Sequence, residues 1–435
     1  MVRNKNLRTL LSIAFLLITT GCGAIEPGLP TAGEIDVRHL DTGQYPIEPI
    51  DTYKEYGHSY NNGAELAAMR LADNMATGLD IDPKLKFGTS AESIVPELDD
   101  PAIAVDTLSL ILARDSAAAA IRNHMLYGFS SGSSDHEPDR TGKTLSAATM
   151  LTLVVMQFPS KESASRAATE IEQADFDAAR ETNRPITLDK YPEAHSHWQP
   201  GISSLGSFLA HGNYVVALFG KLPEGGAPEL ASFAEKAYDK QVPRLDKLEP
   251  VTPEDVVKSS PPDDGMVRRI INPDKSYSFY KDSLATFGLQ GFLHFQSDRA
   301  AAEKLFATIH IDRFALSTAY LTISTNYDRT ANTQAFAGKE IAKNVNGGAI
   351  LYRSPDVASA RDAWEKLLQQ PDAQMQPRNL PDSKCAKLPE DGYYRQFSCA
   401  IRYRQYVAVV WGRQLDDAQQ RASAQYALLA NSQGM

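Results

Sequence analysis

The chain has 435 residues, of which 43% are hydrophobic and 23% charged, so it can bury the cores of two or three domains. Its 27 glycines and 25 prolines are an ordinary share for a globular protein, which argues against extensive disorder. The 54 acidic residues outnumber the 44 basic ones, and no run of Lys or Arg offsets this excess. Because an acidic surface repels phosphate backbones, the composition predicts that the protein does not bind nucleic acid.

Residues 1–21 have the order of a signal peptide. Three cations come first, an apolar stretch follows from Leu10 to Ile18, and small residues then lead to Cys22. A helix of about nine residues rises only ~14 Å, whereas the hydrocarbon core of a membrane is ~30 Å thick. The segment therefore predicts export rather than a membrane-spanning helix. Without its three cations the exported chain has 41 basic and 54 acidic residues.

Gly21 and Cys22 resemble the end of a lipobox, the processing site of bacterial lipoproteins. The resemblance implies that diacylglycerol is attached to the Cys22 sulfur and that the chain is cleaved before this residue. Thr19 departs from the pattern, since Leu, Val or Ile usually stands there, and an ordinary secretory signal is the alternative. Because two acyl chains give stable anchoring, we predict a lipid anchor at the outer face of the cytoplasmic membrane. Residues 22–34, rich in Gly and Pro, would form the tether.

A segment with four prolines and several acids, 248–265, predicts a linker. It would separate an N-terminal domain at 35–247 from a C-terminal domain at 266–435.

Two pairs of segments indicate that these domains arose by duplication. The apolar run 151–158 is followed by a proline and a helix, and so is 347–353, at an offset of 196 residues. Segment 213–221 matches 405–413 at an offset of 192, and a helical pattern follows each. Both domains are therefore predicted to be α+β, each an antiparallel sheet with helices packed on one face. A chance match between unrelated α+β segments is the alternative.

The helices after the first pair of segments share an apolar stripe with the spacing i, i+3, i+4 and i+7, which is typical of a core-facing helix. The stripe residues are Ala164, Ala167, Ala168 and Ile171 in the first helix and Ala360, Ala363, Trp364 and Leu367 in the second.

Cys385 and Cys399 flank 13 residues that include an Asp391–Gly392 turn. An exported chain meets oxidising conditions, in which such a pair can close. A metal site would need two more soft ligands, and no other cysteine can supply them. We predict a structural disulfide that pins a hairpin and contributes ~3 kcal/mol by the chain-entropy model.

Two patterns could carry chemistry. Residues 128–132 fit G-x-S-x-G around Ser130, but the nucleophile elbow needs a strand before the serine and a helix after it. Here a helical pattern precedes the motif and a loop pattern follows it, so we interpret it as a flexible Gly/Ser segment. Glu193, His195 and His197 are ligand types that suit zinc. The flanking prolines instead indicate an irregular loop of exposed histidines.

Two weaker patterns also lack a requirement of their chemistry. Gly142–Thr144 ends like a phosphate-binding loop, but Glu137 stands where the earlier glycine belongs. Asp80 and Asp82 are too few for a calcium loop and are predicted to bound a turn. We therefore predict no catalytic residue, no metal site and no cofactor.

Aromatic and arginine residues concentrate near the second cysteine. Such residues are enriched at interfaces, because rigid rings and guanidinium groups give area and directed hydrogen bonds. The alternative is a pair of amphipathic strands with rings inward and arginines outward. The candidate interaction residues are Tyr393, Tyr394, Arg395, Arg402, Tyr403 and Arg404.

Residues 35–46 resemble the start of a family of uncharacterised actinobacterial lipoproteins. The matching residues are Asp36, Val37, Leu40, Asp41, Gly43, Tyr45 and Pro46. The resemblance extends over the exported chain and implies two α+β parts, with no catalytic residue to carry over. The C-terminal half also resembles, more loosely, the extracellular sensor domains of actinobacterial serine/threonine kinases. That likeness implies a binding or sensing role in the cell envelope.

The leading functional hypothesis is a non-catalytic binding or sensing module for an envelope ligand or protein partner. It predicts a groove lined by apolar and aromatic residues, with few strongly shifted titrating groups. A structural envelope spacer is one alternative. An envelope hydrolase that uses Ser130, or His195 with His197, is the other, and it requires the residues it uses to meet an acid or base partner in a cleft.

Overall fold

The computed structural model describes residues 35–97, 99–138, 145, 147–273, 279–280, 283–320, 345–368, 371–388 and 396–433. The predicted signal peptide, Cys22 and its tether lie outside these residues, as do Gly142–Thr144 and three candidate interaction residues, Tyr393, Tyr394 and Arg395. Within the described ranges, no helix has the length and apolar character needed to cross a membrane.

The first half contains seven strands and eight helices among the described residues. The strands are β1 (Phe87–Ile94), β2 (Tyr127–Ser134), β3 (Met150–Gln157), β4 (Arg184–Pro185), β5 (His195–Gln199), β6 (Ser204–His211) and β7 (Tyr214–Lys221). The helices are α1 (Thr52–Glu55), α2 (Tyr60–Ala72), α3 (Gly78–Ile81), α4 (Pro101–Leu108), α5 (Arg114–Arg122), α6 (Lys161–Ala178), α7 (Ala227–Leu245) and α8 (Pro253–Lys258).

The second half contains six strands and four α-helices where the structure describes it. The strands are β8 (Leu284–Gly288), β9 (Arg313–Tyr320), β10 (Val345–Arg353), β11 (Ser383–Lys387), β12 (Phe397–Tyr403) and β13 (Tyr406–Gly412). The helices are α9 (Leu289–Leu293), α10 (Arg299–Thr308), α11 (Val357–Leu367) and α12 (Leu415–Asn431). Short 3-10 helices occupy Val37–His39, Val267–Arg269 and Ala373–Met375.

The two sheets have the same topology. The first runs β1-β2-β3-β7-β6-β5-β4, and the second, read from its other edge, runs β8-β9-β10-β13-β12-β11, with antiparallel neighbours throughout. Even the register of the central pair agrees, because Leu151 lies opposite Gly220 and Gly347 lies opposite Gly412. These pairs are related by the offsets of 196 and 192 residues found in the sequence. The predicted class, two related α+β halves with antiparallel sheets, is confirmed.

The helices that follow the central strands also begin in the same way. Ser160 caps α6 by accepting a hydrogen bond from the backbone of Ser163, and Asp356 caps α11 by accepting one from Ser359. An oxygen at this position satisfies a backbone N–H that the first helical turn leaves unpaired. The predicted stripes face the sheets, since Ala164, Ala167, Ala168 and Ile171 of α6 and Ala360 and Ala363 of α11 are buried.

Helices lie on both faces of the first sheet. Ser207 of β6 is hydrogen-bonded to Tyr238 of α7 over 2.8 Å. The preceding residue, Gly206, points the opposite way, toward Asp175 of α6. Because successive strand residues face opposite sides, α6 and α7 cover opposite faces. Helices were predicted on one face of the sheet, and in the first half a second layer of helix covers the other face as well.

The two halves meet through buried polar contacts within one compact unit, Val37–Met435. The Asp73 carboxylate, just after α2, accepts hydrogen bonds of 2.9 Å from the backbone N–H groups of Gly288 and Gly291. It also lies 3.4 Å from Arg313 of β9, whose Nε donates to Asp264 over 2.5 Å. Residues far apart in the sequence thus fix α2 to the second sheet.

A second contact places a buried arginine beneath the first sheet. Arg299 of α10 is 0% exposed and donates to the hydroxyls of Ser133 (2.5 Å) and Ser131 (3.2 Å) on β2. Burial lowers its pKa to about 10, and the charge of Asp80 opposes that shift. His294, which is 1% exposed, has its Nδ1 2.7 Å from the Ser131 hydroxyl. Burial, and then the nearby Arg299 charge, lowers the pKa of His294 to about 3.

The segment predicted to link the domains contains α8, which packs on α2. Val256 is buried, and its carbonyl lies so close to Gly63 that a Cβ there would be 1.7 Å away. No side chain larger than hydrogen fits at that crossing. The predicted domain boundaries themselves stay a prediction.

The family-like segment near the N-terminus packs on α12 of the second half. Tyr45 donates a hydrogen bond to the Asp417 carboxylate, and the Arg421 guanidinium lies 4.6 Å from its ring centre. Gly43 has a φ of 53° and approaches Gln420, where a Cβ would lie 2.4 Å from the amide oxygen. The Gly and Tyr of this segment therefore have structural roles.

Candidate functional site

A cavity of about 390 Å³ opens on the α6 face of the first sheet, at the C-terminal end of that helix. Residues of the four strands β3, β7, β6 and β5 line it together with the last turn of α6. The lining includes Thr152, Asp175, Ala179, Asn183, His197, Gln199, Gly206, Phe219 and Lys221. Cavities of this volume hold small molecules, and a mixed apolar and polar lining is typical of such sites.

A histidine held by two carboxylates stands at one side of the cavity. His197 of β5 is 5% exposed, with Nδ1 3.1 Å from Glu172 Oε1 and Nε2 3.5 Å from Asp175 Oδ2. The edge of Phe176 packs on the imidazole at a centroid distance of 5.6 Å. All three partners belong to α6, so one helix fixes the ring in place.

Asp175 is the carboxylate that faces the cavity. Burial raises the pKa of its carboxyl group, a positive charge on His197 would lower it, and the neighbouring Glu172 raises it further. Burial penalises the charged form of an acid unless donors compensate. The surroundings of Asp175 therefore disfavour its charged form.

Gly206 of β6 makes room for this cluster. A Cβ there would lie 2.8 Å from Asp175 Oδ2 and 2.8 Å from His197 Cε1. Any larger residue would push the helix residue or the imidazole away from the sheet.

The second half carries an apolar core at the equivalent position. His197 lies opposite Gly206 in the β5–β6 pair, as Ala386 lies opposite Ser398 in the β11–β12 pair. Leu368, equivalent to Glu172 at the offset of 196, forms an apolar cluster with Ala386 and Ala400. The polar cluster thus belongs to the first half alone.

The residues equivalent to part of the cavity lining pack differently in the second half. Thr152 and Phe219 line the cavity, and their equivalents are Gly348 and Trp411. The Trp411 ring packs directly on Gly348, where a Cβ would lie 2.4 Å from a ring carbon. A tryptophan therefore occupies a place that the first half leaves to Thr152 and Phe219.

The prediction of an irregular loop over Glu193–Gln199 is wrong from His195 onward, because His195–Gln199 form β5. His195 and His197 share a face as alternating residues do, but His195 contacts Thr169 over 3.0 Å instead of joining a metal site. In the described part of the chain, no group of three or more His, Cys, Asp or Glu residues is placed to hold a metal ion.

The expected flexible segment at 128–132 is also wrong. These residues form the centre of β2, and Ser130 is 2% exposed. Three strands separate β2 from β5, which places Ser130 roughly 19 Å from His197 at ~4.8 Å per strand. Ser130 and the β5 histidines are therefore not brought together.

The two cysteines form the predicted disulfide. Cys385 and Cys399 lie directly opposite each other in the β11–β12 pair and are joined by an S–S bond of 2.01 Å. The disulfide therefore cross-links two neighbouring strands and closes the loop between them.

Three candidate interaction residues are described. Arg402 pairs with Asp382 over 2.8 Å, and Arg404 lies exposed at the β12–β13 turn. Tyr403 is buried and packs edge-on against Tyr426, so its ring belongs to the core. Whether the two arginines bind a partner stays a prediction.

Glu172, Asp175 and Gly206 were not among the site residues predicted from the sequence. One signal was present, because the α6 stripe at 164, 167, 168 and 171 continues at 175, where an acid stands on the core-facing side. The contact with His197 depends on strand pairing, which the sequence does not specify.

Two family models match the chain. The N-terminal domain of unknown function DUF7373 matches residues 54–260, and the C-terminal DUF7373 domain matches residues 266–432. The chain belongs to the DUF7373 family. No curated protein matches this DUF7373 chain significantly.

Among solved structures, this DUF7373 chain is similar to the extracellular domain of PknH from Mycobacterium tuberculosis. The two share 12% identity over 42% of this chain and 98% of that chain, with a TM-score of 0.29. A likeness at this level says nothing about what the DUF7373 chain binds.

Proposed function

We propose that this protein is a lipid-anchored, non-catalytic binding module of the cell envelope. Its ligand site is the cavity beside His197 in the first half. One observation carries the proposal: the first half keeps an open cavity with a buried polar cluster where the second half has an apolar core and a tryptophan. Burying polar groups lowers stability unless they are fully paired, so a purely structural role gives no reason to keep them.

The proposed anchor is the lipid on Cys22. Its support is the order of residues in 1–22, in which a basic region, an apolar stretch and small residues precede the cysteine. Labelling cells with an alkyne-tagged fatty acid should mark the protein, and Cys22→Ala should abolish the label. A labelled Cys22→Ala variant would contradict the anchor and leave the cavity proposal untouched.

The second half supplies the design of a variant that tests the cavity. Thr152→Gly combined with Phe219→Trp transplants the packing of Gly348 and Trp411 and should close the cavity without disturbing the sheet. The reverse exchange in the second half, Trp411→Phe, is the matched control, since it leaves the cavity lining unchanged.

Native mass spectrometry of protein isolated from its own envelope provides the measurement. We expect a bound small molecule on the wild type and on Trp411→Phe, and none on the double variant. Equal occupancy of the wild type and a folded double variant would refute the cavity as the binding site. A structural spacer would show no bound molecule on any of the three proteins.

A further inference from the structure

Acidic side chains outnumber basic ones in the cluster beside the cavity. Glu172 and Asp175 are two acids for the single imidazole of His197, so the cluster carries a net negative charge when both carboxyl groups are ionised, even beside a protonated ring. Their side chains are 16% and 18% exposed. Charges this poorly solvated act strongly on a neighbouring ion, because little water screens them.

Only one of the two acids lines the cavity. Glu172 takes the shorter contact with the imidazole, at 3.1 Å, and does not line the cavity. Asp175 lines the cavity, and its 3.5 Å contact with His197 is longer than an ordinary hydrogen bond. A carboxylate offers about four lone-pair positions, so Asp175 can accept from a donor that enters the cavity.

The rest of the lining suits the body of a small polar molecule. Amide and hydroxyl groups come from Asn183, Gln199 and Thr152, and Phe219 adds an apolar surface. Lys221 stands on β7, and two strand spacings of ~4.8 Å, about 10 Å in all, separate β7 from β5.

We propose that the cavity binds a small molecule that carries a primary ammonium group, with Asp175 as the counter-ion. This inference rests on the proposed function of the cavity. An ammonium supplies up to three donors and one positive charge, which together satisfy the carboxylate that burial otherwise penalises. Gly206 is a positioning residue, because its missing side chain lets Asp175 and His197 approach the sheet.

The test uses three probes of equal length on the full-length protein in detergent: 5-aminopentan-1-ol, 1,5-pentanediol and glutarate. Thermal shift and calorimetry should show binding of the amino alcohol only. Asp175→Asn, which keeps the shape and removes the charge, should weaken that binding at least tenfold. The control is Asp177→Asn, which removes an exposed acid of the same helix that pairs with Arg180 over 2.6 Å and should leave binding unchanged.

Several outcomes would overturn the ammonium assignment. Tighter binding of the diol or glutarate would do so, as would an undiminished affinity of Asp175→Asn for the amino alcohol. Binding of calcium or magnesium chloride in place of the amino alcohol would also refute it. The identity of the molecule found by native mass spectrometry separates the two proposals: a captured ligand without an amino group contradicts the ammonium assignment alone, whereas loss of the cavity effect contradicts the proposed function itself.

Discussion

Acidification should destabilise the protein through His294. In the folded protein this side chain is buried between the halves, and its pKa falls from the usual 6.5 to about 3. The unfolded chain takes up a proton below pH 6.5, whereas the folded chain does not until about pH 3. Since the unfolded state then binds more protons, stability is present above pH 6.5 and is lost as the pH falls through this window.

The size of the effect follows from the two pKa values. Between pH 7.5 and pH 5, protonation of His294 lowers the free energy of the unfolded state by roughly 2 kcal/mol, because pH 5 lies about 1.5 units below the usual histidine pKa. Replacing His294 with Gln removes the titration and keeps a polar group near the Ser131 hydroxyl. The variant should be less stable at pH 7.5, because the ring also packs edge-on against Phe129 at a centroid distance of 5.3 Å.

The assay is urea unfolding of wild type and variant at both pH values. The free energy of unfolding should fall by roughly 2 kcal/mol more in the wild type than in His294→Gln. His195→Gln, which replaces a histidine exposed on β5, serves as the control and should follow the wild type. An identical pH dependence of wild type and His294→Gln would refute the reasoning.

Three further outcomes are expected. Reducing the disulfide, or replacing Cys385 and Cys399 with Ser, should lower the free energy of unfolding by ~3 kcal/mol, measured by denaturation with and without reductant. Gly206→Ala should destabilise the protein by about 1–3 kcal/mol through overpacking and weaken cavity binding in calorimetry, unless the neighbouring imidazole shifts freely. Tyr45→Phe removes the hydrogen bond to Asp417 and should lower stability by about 1 kcal/mol in urea unfolding, whereas no change would mean that water replaces the hydroxyl.

Local sequence patterns determined much of the architecture. The segments matched at the two offsets, 151–158 with 347–353 and 213–221 with 405–413, are the strands that form the central pair of each sheet. The helical pattern expected after each second segment is observed as Ala227–Leu245 and Leu415–Asn431. Helix stripes and strand runs depend on neighbours in the chain, which the sequence displays directly.

Local patterns failed where distant residues decide the structure. The stretch 128–132 looks flexible because it is rich in Gly and Ser, yet it is part of a buried strand, and its Ser131 hydroxyl accepts a hydrogen bond from Arg299. Tertiary contacts override such local preferences. The same holds for His197, whose flanking prolines suggested a loop although strand pairing places it against α6.

The sequence by itself therefore determined the duplicated α+β plan, the disulfide partners and the pattern of an export signal. Only the tertiary structure decided that the halves differ at the cavity beside His197. Glu172, Asp175 and His197 become one cluster because a helix and a strand meet there across the sheet. That meeting depends on the order of strands and on the space left by Gly206, and neither property is expressed in the residues nearby along the chain.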